Sequence, residues 1–135
     1  MAKLMYKSIL QDESKDSIAL NLLQKPIKRA FWIYNNSPES IRGNHRHHRT
    51  NHLLICLSGS CKVYVNNGKT EDTFLLNNPN QILQLEPIDW REMYDFSEDC
   101  ILSCFCDEMY DASDYIYTPY HIKKQNFEIL EAVFF

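Results

Sequence analysis

Residues 53–68 read Leu-Leu-Ile-Cys-Leu-Ser-Gly-Ser-Cys-Lys-Val-Tyr-Val-Asn-Asn-Gly, and this stretch decides the fold class. The apolar run at 53–57 predicts a strand that is covered on both faces. The alternation of polar and apolar residues at 62–65 predicts a second strand, and Asn66-Asn67-Gly68 is a strong hairpin signal. Short strands that follow one another through tight turns are typical of an all-β sandwich or barrel.

The same pattern extends along most of the chain. Turn residues separate short apolar or alternating segments, and no long amphipathic helix interrupts them. Residues 1–15 read as polar and irregular, and residues 125–135 predict a short C-terminal helix. We therefore expect residues 1–135 to form a single all-β domain. The further strand candidates are residues 18–23, 29–34, 42–47, 73–76, 82–85, 90–96 and 100–106.

Composition and charge exclude several classes of function. A chain of 135 residues with net charge −4 fits one globular domain and disfavours nonspecific binding to nucleic acid. No run of eighteen apolar residues is present and the N-terminus lacks a signal-peptide core, which predicts a cytoplasmic protein without a membrane span. The five cysteines, an odd number, are expected to be reduced and to pack as small buried hydrophobic residues.

Two closely spaced histidines are the strongest candidates for chemistry. They lie in Arg42-Gly43-Asn44-His45-Arg46-His47. Alternate side chains of a strand share a face, so His45 and His47 are expected to point the same way, about 7 Å apart. Such a pair, with Arg42 at its rim, suits two uses. It can move protons on a bound anionic substrate, or it can hold a metal.

Five motifs lie in order along the chain, at residues 26–34, 42–47, 56–61, 90–97 and 110–116. Together they resemble one enzyme family, the sugar-nucleotide 3,4-ketoisomerases, which are WxcM-like small cupins, over roughly residues 20–120. The resemblance implies a cupin jelly-roll barrel and a homodimer with exchanged N-terminal strands. It also implies isomerisation of a dTDP-4-keto-6-deoxyhexose without a cofactor, toward unusual deoxy and amino sugars for surface glycans such as O-antigen.

The expected reaction assigns roles to individual residues. Moving a ketone from carbon 4 to carbon 3 needs a base, an acid and stabilisation of an enediolate, and imidazole serves either proton role near neutral pH. We therefore expect His45 and His47 to be the acid/base pair. Tyr34 matches a family position suited to polarising or relaying, and Arg42 one suited to holding the diphosphate or a sugar oxygen. Trp90 is expected beside the base or sugar, with core packing as its alternative.

Two departures from the family pattern leave alternatives open. Members usually carry a glutamine a few residues after the histidine pair, whereas this chain has His48 and His52 there, and the family's Asp-Tyr-Ile-Arg ends here in Tyr117. We expect His52 to line the cavity and contact substrate, with a hydrogen bond in the core as its alternative.

A metal-dependent cupin enzyme is the second hypothesis, because His45, His47, His52 and Gly59 match the spacing of a metal-binding cupin motif, with histidine in place of glutamate. Residues 79–93, where a further ligand belongs, contain no histidine. A noncatalytic nucleotide-sugar-binding cupin is the third hypothesis. In the remaining family motif, Asp111 and Asp114 read most simply as turn residues.

Overall fold

The structure is a computed structural model that describes residues 2–6 and 25–121. Within these residues the chain forms ten β-strands and one short 3-10 helix, Ala112–Asp114. The strands are β1 Lys3–Tyr6, β2 Arg29–Tyr34, β3 Arg42–His47, β4 His52–Ser58, β5 Cys61–Asn66, β6 Glu71–Leu76, β7 Gln81–Leu85, β8 Trp90–Tyr94, β9 Ile101–Cys106 and β10 Tyr115–Ile116.

The described strands build two five-stranded antiparallel sheets, in the orders β1-β7-β4-β9-β2 and β10-β3-β8-β5-β6. Consecutive strands such as β3 and β4 lie in different sheets, as in a double-sheet jelly roll. The apolar core lies between the sheets, where Leu54 and Leu102 of the first sheet pack with Val63 and Met93 of the second. The all-β, jelly-roll prediction is therefore confirmed.

A β-bulge on β3 shapes the region of the histidines. The register of β3 on β8 shifts between Gly43 and His45, and the bulge places His45 opposite Arg91. Gly43 has φ 91° and Asn44 has φ 58°, both in the left-handed region. A Cβ atom on Gly43 would lie 2.8 Å from the carbonyl oxygen of Arg91, so the close approach of β3 to β8 requires glycine.

Most strand predictions are confirmed, and two regions differ. Residues 3–6 form β1, which pairs with β7, although the sequence predicted an irregular segment. Four residues are too few to show a strand period, and β1 is held in place by its pairing with β7. Strand β10 was also missed, because two residues carry no periodicity. The predicted strand at 18–23 and helix at 125–135 lie outside the described residues. Among the described residues, no helix has the length and apolar character needed to cross a membrane.

Candidate active site

A cavity of about 140 Å³ opens between the two sheets beside the histidine strand. Its described lining includes three arginines and no carboxylate, so the cavity is electropositive and suits an anionic ligand. Apolar side chains from both sheets complete its walls and limit the access of water. The polar and aromatic lining residues on which the following argument depends are Arg29, Arg42, His45, His52, Arg91 and Tyr115.

His45 presents a proton-accepting nitrogen to this cavity. Its Nδ1 atom lies 2.8 Å from the carbonyl oxygen of Gly43. Because a carbonyl oxygen only accepts, Nδ1 carries the hydrogen and Nε2 carries the lone pair. Burial, together with the nearby charge of Arg91, lowers the pKa of His45 to about 4. The ring is therefore neutral near pH 7 and is able to act as a base.

His47 lies behind the cavity wall and is held by a carboxylate. Its side chain is buried, and its Nδ1 atom donates to Oδ2 of Asp114 over 2.8 Å. The His45 and His47 rings meet edge to face, 4.9 Å between centroids, so the two rings do share a face as predicted. Burial and Arg91 lower the pKa of His47 to about 3. Its Nε2 atom is buried and has no hydrogen-bond partner among the described residues.

Asp114 anchors the histidine strand to the 3-10 helix before β10. Besides His47, it accepts hydrogen bonds from the Thr50 hydroxyl and from the backbone N–H groups of His48 (3.2 Å) and Arg49 (2.9 Å). Burial alone raises the pKa of Asp114, but the hydrogen bonds from Thr50, His47 and Arg49 outweigh it and lower the pKa below its usual value. Asp114 is therefore an ionised carboxylate, and it fixes both the ring orientation and the tautomer of His47.

His52 is held by a buried guanidinium. Nη1 of Arg91 lies 3.1 Å from Nδ1 of His52. The other nitrogens of Arg91 donate to the backbone oxygens of Asp89 (3.0 and 2.8 Å) and Glu86 (3.2 Å). Burial lowers the pKa of Arg91 to about 10, which leaves the side chain charged at neutral pH. Burial and this charge hold the pKa of His52 well below its usual value, so its ring is neutral.

Tyr115 lines the cavity beside the rings of His45 and His47. Its ring centroid lies 4.8 Å from that of His45 and 4.5 Å from that of His47. Its hydroxyl oxygen accepts a hydrogen bond of 3.2 Å from Nη1 of Arg29. Because the oxygen accepts from Arg29, the hydroxyl hydrogen remains as a donor for a cavity ligand.

The structure brings together some of the residues that the sequence singled out and separates others. His45, His52 and Arg42 line the cavity, and Nη1 of Arg42 also donates to Oδ1 of Asn36 over 3.0 Å. Tyr34 does not reach it, because it is 60% exposed and alternates with the inward-facing Ile33 on β2. The sequence-based role for Tyr34 therefore has no support in this geometry.

Trp90 is also separated from the histidines. The side chain is buried, and its indole N–H donates to Oε2 of Glu92 over 2.8 Å. It lines a different cavity together with Glu92 and Tyr120. The expected position beside the reacting sugar is not observed, and the packing alternative agrees with this placement.

Four site residues were missed by the sequence analysis: Arg29, Arg91, Asp114 and Tyr115. The face of Arg91 was readable in principle, since alternation places it on the same face as Met93, which is apolar and belongs to the core. A charged residue at a strand position that faces the core indicates a buried functional cation. Asp114 and Tyr115 carry no comparable signal, because their importance arises from contacts with β3 that span more than sixty residues of sequence.

The three imidazoles fit a metal poorly. Nδ1 of His52 accepts from the Arg91 guanidinium, so the hydrogen of its neutral ring sits on Nε2 and no lone pair remains for a third metal ligand. The guanidinium of Arg91 lowers the pKa of all three rings, and the same positive charge repels a cation placed between them. The residues present therefore suit proton transfer better than metal ligation.

The cysteines lie in the apolar core, as predicted. All five are free and buried. The sulfur atoms of Cys56, Cys61 and Cys100 lie within 4.8 Å of one another, the only group of three possible metal ligands among the described residues. Burial raises the pKa of Cys100 to about 12, whereas the side-chain hydrogen bond with Cys61 lowers the pKa of Cys56 to about 7.

Comparisons with known proteins identify the family of the chain. Residues 9–126 match the family model described as FdtA: WxcM-like, C-terminal. A curated relative, the TDP-4-oxo-6-deoxy-alpha-D-glucose-3,4-oxoisomerase of Aneurinibacillus thermoaerophilus, is 37% identical over 98 residues, which cover 73% of this chain and 70% of the relative.

Two solved structures share the fold and the family resemblance. WlaRA, a TDP-fucose-3,4-ketoisomerase from Campylobacter jejuni, superposes with a TM-score of 0.75 at 31% identity, covering 87% of this chain and 89% of that chain. QdtA, a sugar 3,4-ketoisomerase from Thermoanaerobacterium thermosaccharolyticum solved with TDP, superposes with a TM-score of 0.74 at 31% identity. The match covers 87% of this chain and 88% of that chain. The resemblance expected from the five motifs is thereby confirmed, and the chain belongs to the WxcM-like family of sugar-nucleotide 3,4-ketoisomerases.

Proposed function

We propose that the cavity isomerises a TDP-linked 4-keto-6-deoxyhexose to its 3-keto isomer. The observation that carries this proposal is the lone pair of His45 Nε2, which faces a cavity lined by three guanidinium groups. A base beside fixed positive charge is what enolisation of an anionic keto sugar needs. QdtA, 29% identical to this chain, has been solved as a histidine-to-asparagine variant with TDP-4-keto-6-deoxyglucose, which supports the substrate class.

The size of the cavity indicates which part of the substrate it takes. Its volume of about 140 Å³ is below the ~300 Å³ of ordinary ligand pockets. We infer that the keto sugar enters and that the diphosphate stays at the rim. Arg42 suits the rim position, because it lines the cavity yet is exposed, and its planar fork pairs well with phosphate oxygens.

The proton balance of the reaction needs one base. His45 Nε2 removes the proton on carbon 3, and the electron pair forms the carbon 3–carbon 4 double bond while negative charge moves to the oxygen on carbon 4. The imidazolium of His45 exchanges its hydrogen with solvent water and then delivers a proton to carbon 4. The hydroxyl on carbon 3 loses its proton as the new ketone forms, and that proton neutralises the charge on the other oxygen.

The described residues also stabilise the enediolate and orient the base. The charge of Arg91 and the hydroxyl of Tyr115 lie at the cavity, where low polarity strengthens their attraction for a developing oxyanion. His47, fixed by Asp114, packs against the ring of His45 and limits its rotation. We therefore assign His47 an orienting role behind His45.

The test is incubation of the purified protein with TDP-4-keto-6-deoxyglucose in deuterated water, followed by proton NMR. Isomerisation gives loss of the carbon 3 proton signal, deuterium at carbon 4 and a new ketone. Binding of TDP without label uptake indicates the noncatalytic sugar-binding hypothesis and overturns the enzymatic proposal. Turnover that disappears with chelator and returns with zinc supports the metal-dependent hypothesis instead.

We further propose a homodimer formed through the outer face of β2. Trp32 and Tyr34 are more than half exposed there. Ile101 of β9, which lies directly opposite Tyr34, adds to the same apolar face. Exposed aromatic clusters of this kind are typical of interfaces. Sedimentation should give a dimer for the wild type and a monomer for Trp32→Arg, while a dimeric variant contradicts this surface. The exchange of N-terminal strands stays a prediction, as does a biosynthetic role in surface glycans.

A further inference from the structure

We propose that His52 is a neutral hydrogen-bond donor that holds the oxygen on carbon 4 of the substrate, and that Arg91 acts as its positioning residue by fixing its tautomer. This inference rests on the proposed isomerase function and assigns the electrophilic side of that reaction. It divides the imidazoles of the cavity into a base, His45, and a donor, His52.

The tautomer of His52 follows from its partner. Arg91 Nη1 lies 3.1 Å from His52 Nδ1, and a guanidinium has donors but no acceptor. The Nδ1 atom therefore accepts, and the single hydrogen of the neutral ring sits on Nε2. Because the His52 ring lines the cavity while Nδ1 faces Arg91, Nε2–H is the polar group that the ring offers to a ligand.

Arg91 is held so that it keeps this orientation. It is 2% exposed, and its Nε and Nη2 atoms donate to the backbone oxygens of Asp89 and Glu86. These bonds fix the plane of the guanidinium and leave Nη1 directed at His52. Rotation of Arg91 would break several buried hydrogen bonds at once, at a cost of about 1–3 kcal/mol for each group left unpaired.

The two cavity-lining rings are therefore opposite in hydrogen-bonding sense. His45 donates its Nδ1–H to a carbonyl oxygen and presents a lone pair at Nε2, whereas His52 accepts from a guanidinium at Nδ1 and presents an Nε2–H. His47 lies between them, with ring centroids 4.9 Å from His45 and 4.7 Å from His52, and so spaces base and donor along one wall. Enolisation needs this combination, since the base acts at carbon 3 and the negative charge develops on the oxygen of carbon 4.

A neutral imidazole is a suitable donor for this purpose. An enediolate oxygen is strongly basic, and an N–H that stays covalently bound stabilises its charge without protonating the substrate prematurely. Neutral histidine acts in this way in triosephosphate isomerase. Loss of one such donor typically costs about 10²–10³ in rate, and the kinetic effect expected at His52 is of this size.

Nitrogen-15 NMR of histidine-labelled protein tests the tautomers directly. We expect the two-bond correlations of His52 to show hydrogen on Nε2, and those of His45 and His47 to show hydrogen on Nδ1. In Arg91→Met, which removes the guanidinium but keeps an apolar chain of similar length, His52 should become a mixture of both forms. A wild-type His52 with hydrogen on Nδ1 overturns the proposal.

Kinetics of two variants then separate a hydrogen-bond donor from a structural filler. In His52→Gln, the amide oxygen can accept from Arg91 while the amide N–H faces the cavity, so we expect kcat within about tenfold of wild type. His52→Leu has no donor, and we expect a kcat loss of about 100-fold or more with KM changed only slightly. Unfolding midpoints show whether a loss of kcat in His52→Leu comes from misfolding. If it does, the kcat of His52→Gln and the NMR tautomers test the donor role instead.

The outcomes distinguish this inference from the proposed function. Wild-type turnover together with an active His52→Leu variant overturns the role of His52 and leaves the isomerase standing. Equal losses in His52→Gln and His52→Leu also overturn it, since the donor would then make no difference. Absence of wild-type turnover overturns the isomerase assignment, and the role of His52 at the substrate oxygen with it.

Discussion

Nδ1 of His47 lies 2.8 Å from Oδ2 of Asp114, and this bond joins the strand of the proposed base to the 3-10 helix that precedes Tyr115. Asp114 also receives two backbone N–H groups and the Thr50 hydroxyl, so a single buried carboxylate organises this end of the site. Its importance leads to the first prediction.

Asp114→Asn should lower both stability and rate. An amide turns one acceptor into a donor that faces other donors, so we expect about 1–3 kcal/mol less unfolding free energy and at least a tenfold lower kcat as His47 loses its fixed tautomer. Chemical denaturation and steady-state kinetics measure the two effects. The matched control is Asp111→Asn on the same loop, where the exposed pairing with Arg49 should contribute little. Equal behaviour of both variants contradicts the anchoring role.

His45→Asn should lower turnover by at least about 100-fold and abolish exchange of the carbon 3 proton with solvent, because the lone pair at the cavity is lost. The fold should persist, as checked by circular dichroism. His48→Asn is the control, since His48 is exposed just beyond the same strand, and its rate should match wild type. Normal exchange in His45→Asn would remove His45 from the base position.

The rate should depend on acidity in a defined direction. With a pKa of about 4, His45 is unprotonated at neutral pH, so kcat/KM should stay level from neutrality to about pH 5 and fall as the pH drops through 4. Burial is the largest cause of this low pKa and Arg91 the next. Arg91→Met should therefore move the acid limb to higher pH, whereas Lys62→Met, which removes an exposed charge paired with Asp95, should not. An unmoved limb in Arg91→Met contradicts the electrostatic argument.

Gly43→Ala should damage both the fold and the catalytic step. The left-handed backbone and the 2.8 Å approach to the Arg91 oxygen leave no room for a methyl group, and the Gly43 carbonyl also orients His45. We expect about 1–3 kcal/mol of destabilisation and a lower kcat. Gly68→Ala is the matched control, because Gly68 has a similar φ of 92° but lies against the Tyr120 ring, away from the histidines. This variant should lose stability and keep the wild-type kcat.

Chelation should leave turnover unchanged. His52 has no free lone pair because its Nδ1 accepts from Arg91, and the Arg91 charge disfavours a cation between the rings. Activity measured after dialysis against EDTA, with metal content determined in parallel, checks this expectation. Loss of activity that zinc restores would favour the metal-dependent alternative.

The fold was largely predictable and the site only partly so, for a physical reason. Strands with one buried face, such as β5, are recognisable from the alternation of apolar and polar residues. The shared face of His45 and His47 follows from the same period of two. The sequence of β2 is apolar or aromatic at nearly every position, so it did not show that Ile33 faces inward and Tyr34 outward. Cross-strand register, which sets His45 against Arg91, depends on distant segments and has no local signature.

The link between His47 and Asp114 has a consequence for how the enzyme acquires activity during folding. The two residues are separated by 67 positions in sequence, so the bond forms only after a long stretch of chain has closed into a loop. Intermediates that have formed the central hairpins but not yet docked the segment around Asp114 should be compact and inactive. Recovery of catalysis after dilution from denaturant is therefore expected to lag behind recovery of secondary structure, with the delay set by this late closure.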